Sequence, residues 1–163
     1  MNEENSCSKK FDKRSVAVDP GMARCGLAIS DPSASFSLPL QTIILKKKDP
    51  SSAAIQILQT LKERLIEVIV VGIPLLLSGR DSRMTAWARE LYQHLSELLI
   101  KTSTKVVAWD ERLSSRHADV LLNESKTKKK HRKEAQDSLA AAIILQSYLD
   151  TVRNQKENFP EGA

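Results

Sequence analysis

The sequence predicts an α/β fold whose five-stranded mixed sheet combines a three-stranded antiparallel meander with two parallel strands, flanked by helices. Three observations predict it. Short apolar runs broken by Pro20-Gly21 open the chain, later apolar runs alternate with stretches of helical period, and the two later runs, 68–73 and 106–109, are continuous rather than alternating. Strands separated by helices pair in parallel through crossovers, whereas strands joined by tight turns pair antiparallel. No internal repeat is present.

Residues 1–14 are polar and mixed in charge and read as a loosely held tail. Ser15, Ala17 and Asp19 then share one face of a first strand, with Val16 and Val18 on the other. Pro20-Gly21 turns the chain into a second strand ending at Ser30, giving a hairpin. Residues 37–45 form a third strand, and Pro39, which lacks an N–H, places it at an edge. A loop covers 46–50. Ser51 or Ser52 caps a helix running to about Ile66, with Ala54, Leu58, Leu61 and Leu65 on one face. The run 68–73 reads as a central strand covered on both faces, and 75–81 as a loop containing Ser78-Gly79. A second helix over 82–100 buries Met84, Trp87, Leu91, Leu95 and Leu98. Another central strand at 106–109 ends in Asp110-Glu111-Arg112, followed by a short helix at 115–123, a basic loop at 125–133 and a last helix at 134–152. Residues 153–163 form a second loose tail, so the domain spans 15–152.

The 163 residues suffice for one domain with a real core, and 41% hydrophobic with 28% charged residues is ordinary for a globular protein. No apolar run approaches the roughly 20 residues of a membrane helix, and the polar N-terminus has no signal-peptide core, so a cytoplasmic protein is expected. Cys7 and Cys25 form neither a disulfide framework nor a CxxC pair, and His94, His117 and His131 lack zinc spacing. Any metal must be held by oxygen.

Acids at strand ends carry the chemistry. Asp19 ends the first strand, Asp110 and Glu111 end the last, and Asp137 lies in the first turn of the last helix on the face of Ala140, Ala141, Ile144, Leu145 and Tyr148. If the first and last strands are parallel neighbours, their C-terminal ends bring Asp19 and Glu111 together at the edge where open α/β sheets bind ligands. Converging carboxylates repel unless protonated or bridged by cations, and hard divalent ions such as Mg2+ or Mn2+ prefer oxygen ligands. Two such ions would stabilise the attacking and leaving oxygens of phosphodiester cleavage. Each acid also has a plainer reading: Asp19 as an Asx turn, Asp137 as a favourable charge at a helix N-terminus, Asp110 and Glu111 as surface partners of Arg112 or Arg116.

The net charge of +5 permits a polyanionic partner without requiring one. Its distribution says more. Lys126, Lys128, Lys129, Lys130, Arg132 and Lys133, with His131, form a run without acids immediately before Asp137. The run is either a solvated surface loop or a holder of nucleic-acid phosphates beside the acids. Aromatics are only 4% of the chain and none lies in this run, which favours backbone or shape recognition over base stacking.

Asp19-Pro20-Gly21 with Arg24 and Gly26, Val71-Gly72-Ile73-Pro74 with Gly79, Trp109-Asp110-Glu111-Arg112-Leu113-Ser114, and Asp137 with Ala140-Ala141 and Ile144-Leu145 together resemble the YqgF/RuvX family. Its members are Holliday junction resolvase-like proteins, described as pre-16S rRNA nucleases, with an RNase H-like fold. The resemblance spans about residues 15 to 150. It implies that Asp19, Glu111 and Asp137 are metal-binding catalytic acids with Asp110 as a helper. It also implies that Arg24, Arg112 and the basic run touch substrate, and that Gly72-Ile73-Pro74 shapes the floor beside the acids. Typical RNase H-like nucleases take their second acid from the strand after the first long helix; here that strand ends in Gly72-Ile73-Pro74, and the role passes to Glu111. The expected reaction is hydrolysis by a water activated on one Mg2+ while a second ion stabilises the leaving 3′ oxygen. The expected substrate is the 5′ end of precursor 16S ribosomal RNA, with four-way DNA as the alternative and a non-catalytic RNA-binding or ribosome-assembly module as the second.

Asp19-Pro20-Gly21 followed by Gly26 is also similar to the first phosphate loop of actin-like and sugar-kinase-like ATPases, but the motif has no second copy here. A monomer or weak homodimer is expected, with Trp87 or Leu75-Leu76-Leu77 as the candidate dimer face.

Overall fold

In this computed structural model the described residues are 13–113 and 129–158, the side chains of 129–132 excepted. The strands are β1 Arg14–Asp19, β2 Arg24–Ser30, β3 Ser37–Ile44, β4 Ile66–Ile73 and β5 Lys105–Asp110; the helices are α1 Pro50–Leu61, α2 Arg83–Leu98 and α3 Lys129–Asn158, with a 3-10 turn at Glu111–Leu113. All five strands form one sheet in the order β3-β2-β1-β4-β5. β1, β2 and β3 pair antiparallel, while β4 runs parallel to both β1 and β5. The expected mixed sheet is therefore present.

Its internal order differs from expectation in one respect that matters for the site. β4 lies between β1 and β5, so the first and last strands are not neighbours. β5 is an edge strand among the described residues, with Lys105 and Ala108 exposed, rather than a second central strand. β4 is the central one, and Val68 to Ile73 are all buried on it. β3 is the other edge, and a register shift between Leu27 and Ala28, opposite Pro39, breaks its ladder as proline requires.

Strand alternation divides the core into two layers. Val16, Val18, Leu27, Ile69 and Val71 pack toward α1 and α2, against Ile57, Leu91 and Leu95. Ala17, Ala28 and Val70 face α3, against Ala141, Ile144 and Leu145. Small side chains on that second face let α3 approach closely, and Trp109 meets Tyr148 edge to face at 5.5 Å. Truncating the fully buried Leu91 or Leu145 to alanine would cost about 2–5 kcal/mol.

Local chemistry shifts the helix ends. Pro50 takes the first helical position, so Asp49 rather than a serine caps α1, accepting from Ser52 N–H at 2.8 Å. α1 stops at Leu61, and Leu65, read as part of its buried stripe, is 53% exposed. α2 is capped by Ser82, in a reciprocal box with Thr85. α3 starts at Lys129 instead of 134 and continues to Asn158, so part of the basic run and part of the C-terminal segment are helical. The helix expected at 115–123 lies outside the described residues. Trp87 is buried and its indole donates to Lys48 O, which removes it as a dimer face; Leu76 and Leu77 remain exposed. No described helix is long and apolar enough to cross a membrane.

Candidate active site

The C-terminal ends of β1, β4 and β5 open on the same edge of the sheet. Asp19 ends β1 on the face covered by α3, the face also occupied by Ala17. The hairpin that follows is tight: a Cβ on Gly21 would lie 2.3 Å from Arg24 O. Two further glycines bring the other acids to Asp19.

Gly72 lies near the buried C-terminal end of β4, beside β1 in the register that pairs Val18 with Val71. A Cβ there would lie 2.7 Å from both Glu111 Oε1 and Ile144 Cδ1. Glu111, in the turn after β5, thus lies across the end of β4 and reaches Asp19, with which it hydrogen-bonds. The acids meet over an intervening glycine and not as neighbours on adjacent strands.

Gly26 is Asp19's antiparallel partner on β2. A Cβ on Gly26 would fall 1.9 Å from Asp137 O, so α3 lies directly on the strand and Asp137 is lowered toward Asp19. Thr42 Oγ1 donating to Glu134 O at 2.6 Å and Ser37 Oγ donating to Ala142 O at 2.5 Å fix α3 there. Because α3 begins at Lys129, Asp137 sits two turns inside the helix, and the helix-terminus reading of this acid does not apply.

Electrostatics record the convergence. Burial, then the Glu111 carboxylate, then the Asp137 carboxylate push Asp19 up to about 8. Burial also raises Glu111; the hydrogen bond from Asp19 opposes that rise, and the Asp110 charge adds to it. At neutral pH the pair therefore keeps a proton, with Asp19 donating to Glu111. Asp137 has a different counter-charge: Arg24 Nε lies 2.9 Å from its Oδ2. That buried oxygen makes no hydrogen bond, so the contact is an ion pair without donor alignment.

Asp110, read as a helper, points away from the cluster. It lines a cavity of about 390 Å³ with Tyr92 and Gln93 of α2, and Arg112 holds it. Arg112 Nε donates to both carboxylate oxygens at 3.0 Å, Nη2 donates to Oδ2 at 2.7 Å, and the pair keeps Asp110 below the usual carboxylate range. The surface-pair reading thus describes Asp110, and Arg112 is engaged there. Lys133 is exposed on α3; Lys126 and Lys128 lie outside the described residues, as do the side chains of Lys129, Lys130 and Arg132. Cys25, buried beneath the hairpin, is pushed up to about 11 by burial.

The donor set is carboxylate oxygen throughout, with one buried Asp137 oxygen lacking a hydrogen bond, which suits a hard divalent cation. Among the described residues, no three His, Cys, Asp or Glu side chains are yet drawn into one metal-holding group. Asp19 and Glu111 are in contact, and Asp137 is held by Arg24.

Residues 13–151 match the family model RuvX, described as Holliday junction resolvase. A curated protein of Koribacter versatilis named "Putative pre-16S rRNA nuclease" is 41% identical over 137 residues, covering 84% of this chain and 86% of its own. One of Protochlamydia amoebophila with the same name is 36% identical over 151 residues, 88% of this chain and 97% of its own. Among solved structures, T. thermophilus RuvC in complex with a Holliday junction substrate superimposes with a TM-score of 0.56 at 13% identity, over 85% of this chain and 96% of that one. The yeast mitochondrial Holliday junction resolvase Ydc2 gives 0.56 at 16% identity, over 91% and 85%. At these identities the structural likeness is one of fold.

Proposed function

The chain belongs to the RuvX family and has an RNase H-like fold, and from that premise we propose that it is a metal-dependent nuclease whose substrate is precursor 16S ribosomal RNA. The observation that carries this reading is Glu111 lying across Gly72 to meet Asp19, with Asp137 delivered over Gly26. Nothing in an ordinary core calls for three acids at one sheet edge.

Asp19, Glu111 and Asp137 would hold one or two hard divalent cations, Mg2+ or Mn2+, which supply charge neutralisation and a water of lowered pKa. The protein's own groups do the rest. With a cation held there, Asp19 and Glu111 would bind it as carboxylates, the proton they share passing to solvent. Arg24, beside Asp137, would bind a phosphate oxygen of the substrate and offset charge developing on it. Gly72 and Gly26 keep the carboxylates within reach of one another. The exposed Lys133 and its basic neighbours before Asp137 bind flanking phosphates. A cytoplasmic location and a monomeric or weakly dimeric state belong to the same proposal.

The description of the matching family favours one alternative, cleavage of four-way DNA, which needs two sites acting symmetrically and hence a dimer. Labelled precursor ribosomal RNA and a four-way DNA junction, each with Mg2+, Mn2+ or chelator, separate the readings. Wild type cuts the RNA in either metal and in neither case with chelator. Asp19→Asn and Asp137→Asn lose about 10³-fold in rate, the equivalent of several kcal/mol of transition-state stabilisation, while binding persists. Junction cleavage alone moves the substrate to DNA. Tight binding without any cutting makes the chain a non-catalytic binding module.

A further inference from the structure

The acid cluster lies toward α3, and the other side of the same edge is cationic. β3 ends at Ile44, paired with Arg24, and the chain continues through Leu45, Lys46, Lys47 and Lys48 into α1. Three hydrogen bonds fix this short loop. Leu45 N–H donates to Ala23 O at 3.0 Å in the hairpin between Asp19 and Arg24, Lys46 N–H donates to Gln56 Oε1 at 3.2 Å, and Trp87 Nε1 donates to Lys48 O at 3.2 Å. All three lysines are exposed, and none forms an ion pair with a described residue. The adjacent Asp49 is committed to capping α1, accepting from Ser51 Oγ and Ser52 N–H.

Both helices on this side start at the same edge, because α1 follows the end of β3 and α2 follows the end of β4. Neither has an acid in its first turn, and the first residue of α2 is Arg83, where the helix dipole disfavours a cation. Asp81, just upstream, is paired with Arg89. Exposed cations thus gather beside two helix N-termini on one anchored ridge, where Asp49, at the cap of α1 and within reach of the Lys47 charge, offsets only part of their charge, an arrangement that suits an extended anion.

We propose that the loop of Lys46, Lys47 and Lys48, together with Arg83, is a second contact for the sugar-phosphate backbone of nucleic acid, so that the substrate crosses the sheet edge from the α3 face to the α1/α2 face. The inference rests on the nuclease reading above. Its hydrogen bond to Ala23 ties the loop to the hairpin that carries Asp19 and Arg24, so phosphates held there are in fixed register with the acids.

The test compares the full chain with the triple variant Lys46→Ala/Lys47→Ala/Lys48→Ala, using a labelled RNA stem-loop and a four-way DNA junction as probes over a series of KCl concentrations. The expected result is a log–log salt slope reduced by about 2 to 3, since each lost phosphate contact removes roughly 0.7–0.9, with KM raised and kcat unchanged. The charge-preserving Lys46→Arg/Lys47→Arg/Lys48→Arg variant restores the slope. Neutralising Lys62, Arg64 and Lys101, at the opposite ends of α1 and α2, leaves it unchanged. A triple-alanine variant with the wild-type slope overturns the inference while the nuclease reading stands. A wild type that neither binds nor cuts either probe overturns both, and a loop that binds poly-glutamate in preference to either nucleic acid overturns the inference in favour of an acidic protein partner.

Discussion

At Asp19 the folded protein holds a proton that the unfolded chain gives up near pH 4, because burial and two neighbouring carboxylates raise its pKa to about 8. A carboxyl raised on folding contributes stability that is fully present below its unfolded pKa and is lost as pH climbs through the folded value. The midpoint of thermal unfolding, measured without divalent cations, should therefore fall between pH 4 and pH 8 by more than the rest of the chain accounts for. Asp19→Asn removes that share of the fall, so the variant is more stable than wild type at pH 8, by on the order of 10 °C, and equal to it near pH 4. Parallel melting curves of the two proteins check this. Asp19, Glu111 and Asp137 were legible as candidates because acids at strand ends and on an apolar helix face need a reason. Asp110 was not separable from Glu111 on paper: the two are adjacent, and the bidentate grip of Arg112 that sets Asp110 apart depends on the 3-10 turn that the sequence does not announce.

Among the elements, the site depends on two close approaches. In Gly72→Ala the new methyl meets Glu111 Oε1 and Ile144 Cδ1 at 2.7 Å. Both are side-chain ends that can shift, so the expected cost is about 1–3 kcal/mol, with cleavage falling sharply as Glu111 is pushed off Asp19. In Gly26→Ala the methyl meets the Asp137 backbone at 1.9 Å, so the whole of α3 must move. That variant should lose more stability than Gly72→Ala, and thermal unfolding beside a cleavage assay ranks the two. Element types and order were readable from apolar periodicity. Strand adjacency was not, because a parallel crossover leaves its neighbour unspecified: the reading set the last strand beside β1, where the more deeply buried β4 lies. The close approach of α3 was likewise hidden, although a glycine inside a strand, as at Gly26, is the signal for such a contact.

For the whole molecule, the two faces of the sheet have different tasks. α1 and α2 cover one with the larger aliphatic side chains, while among the described residues α3 covers the other and carries Asp137. α3 extends six residues past Val152, and Arg153 to Asn158 are all exposed, which explains why composition alone read this segment as a loose tail. Arg153 makes one surface hydrogen bond, to Ser35 O. A chain ending after Val152 should keep its unfolding temperature within about 3 °C and its full cleavage rate. A larger loss would show that the last turns brace the helix over the acids.

The Arg24–Asp137 pair and the proton shared by Asp19 and Glu111 also determine the order of events in the life of the molecule. The Arg24 guanidinium and the proton held by Asp19 offset part of the carboxylate charge at the edge. A newly made chain can therefore fold without waiting for an ion, unlike small domains whose folding energy is supplied by their metal. On the proposed function, uptake of the divalent cation would then be a step separate from folding.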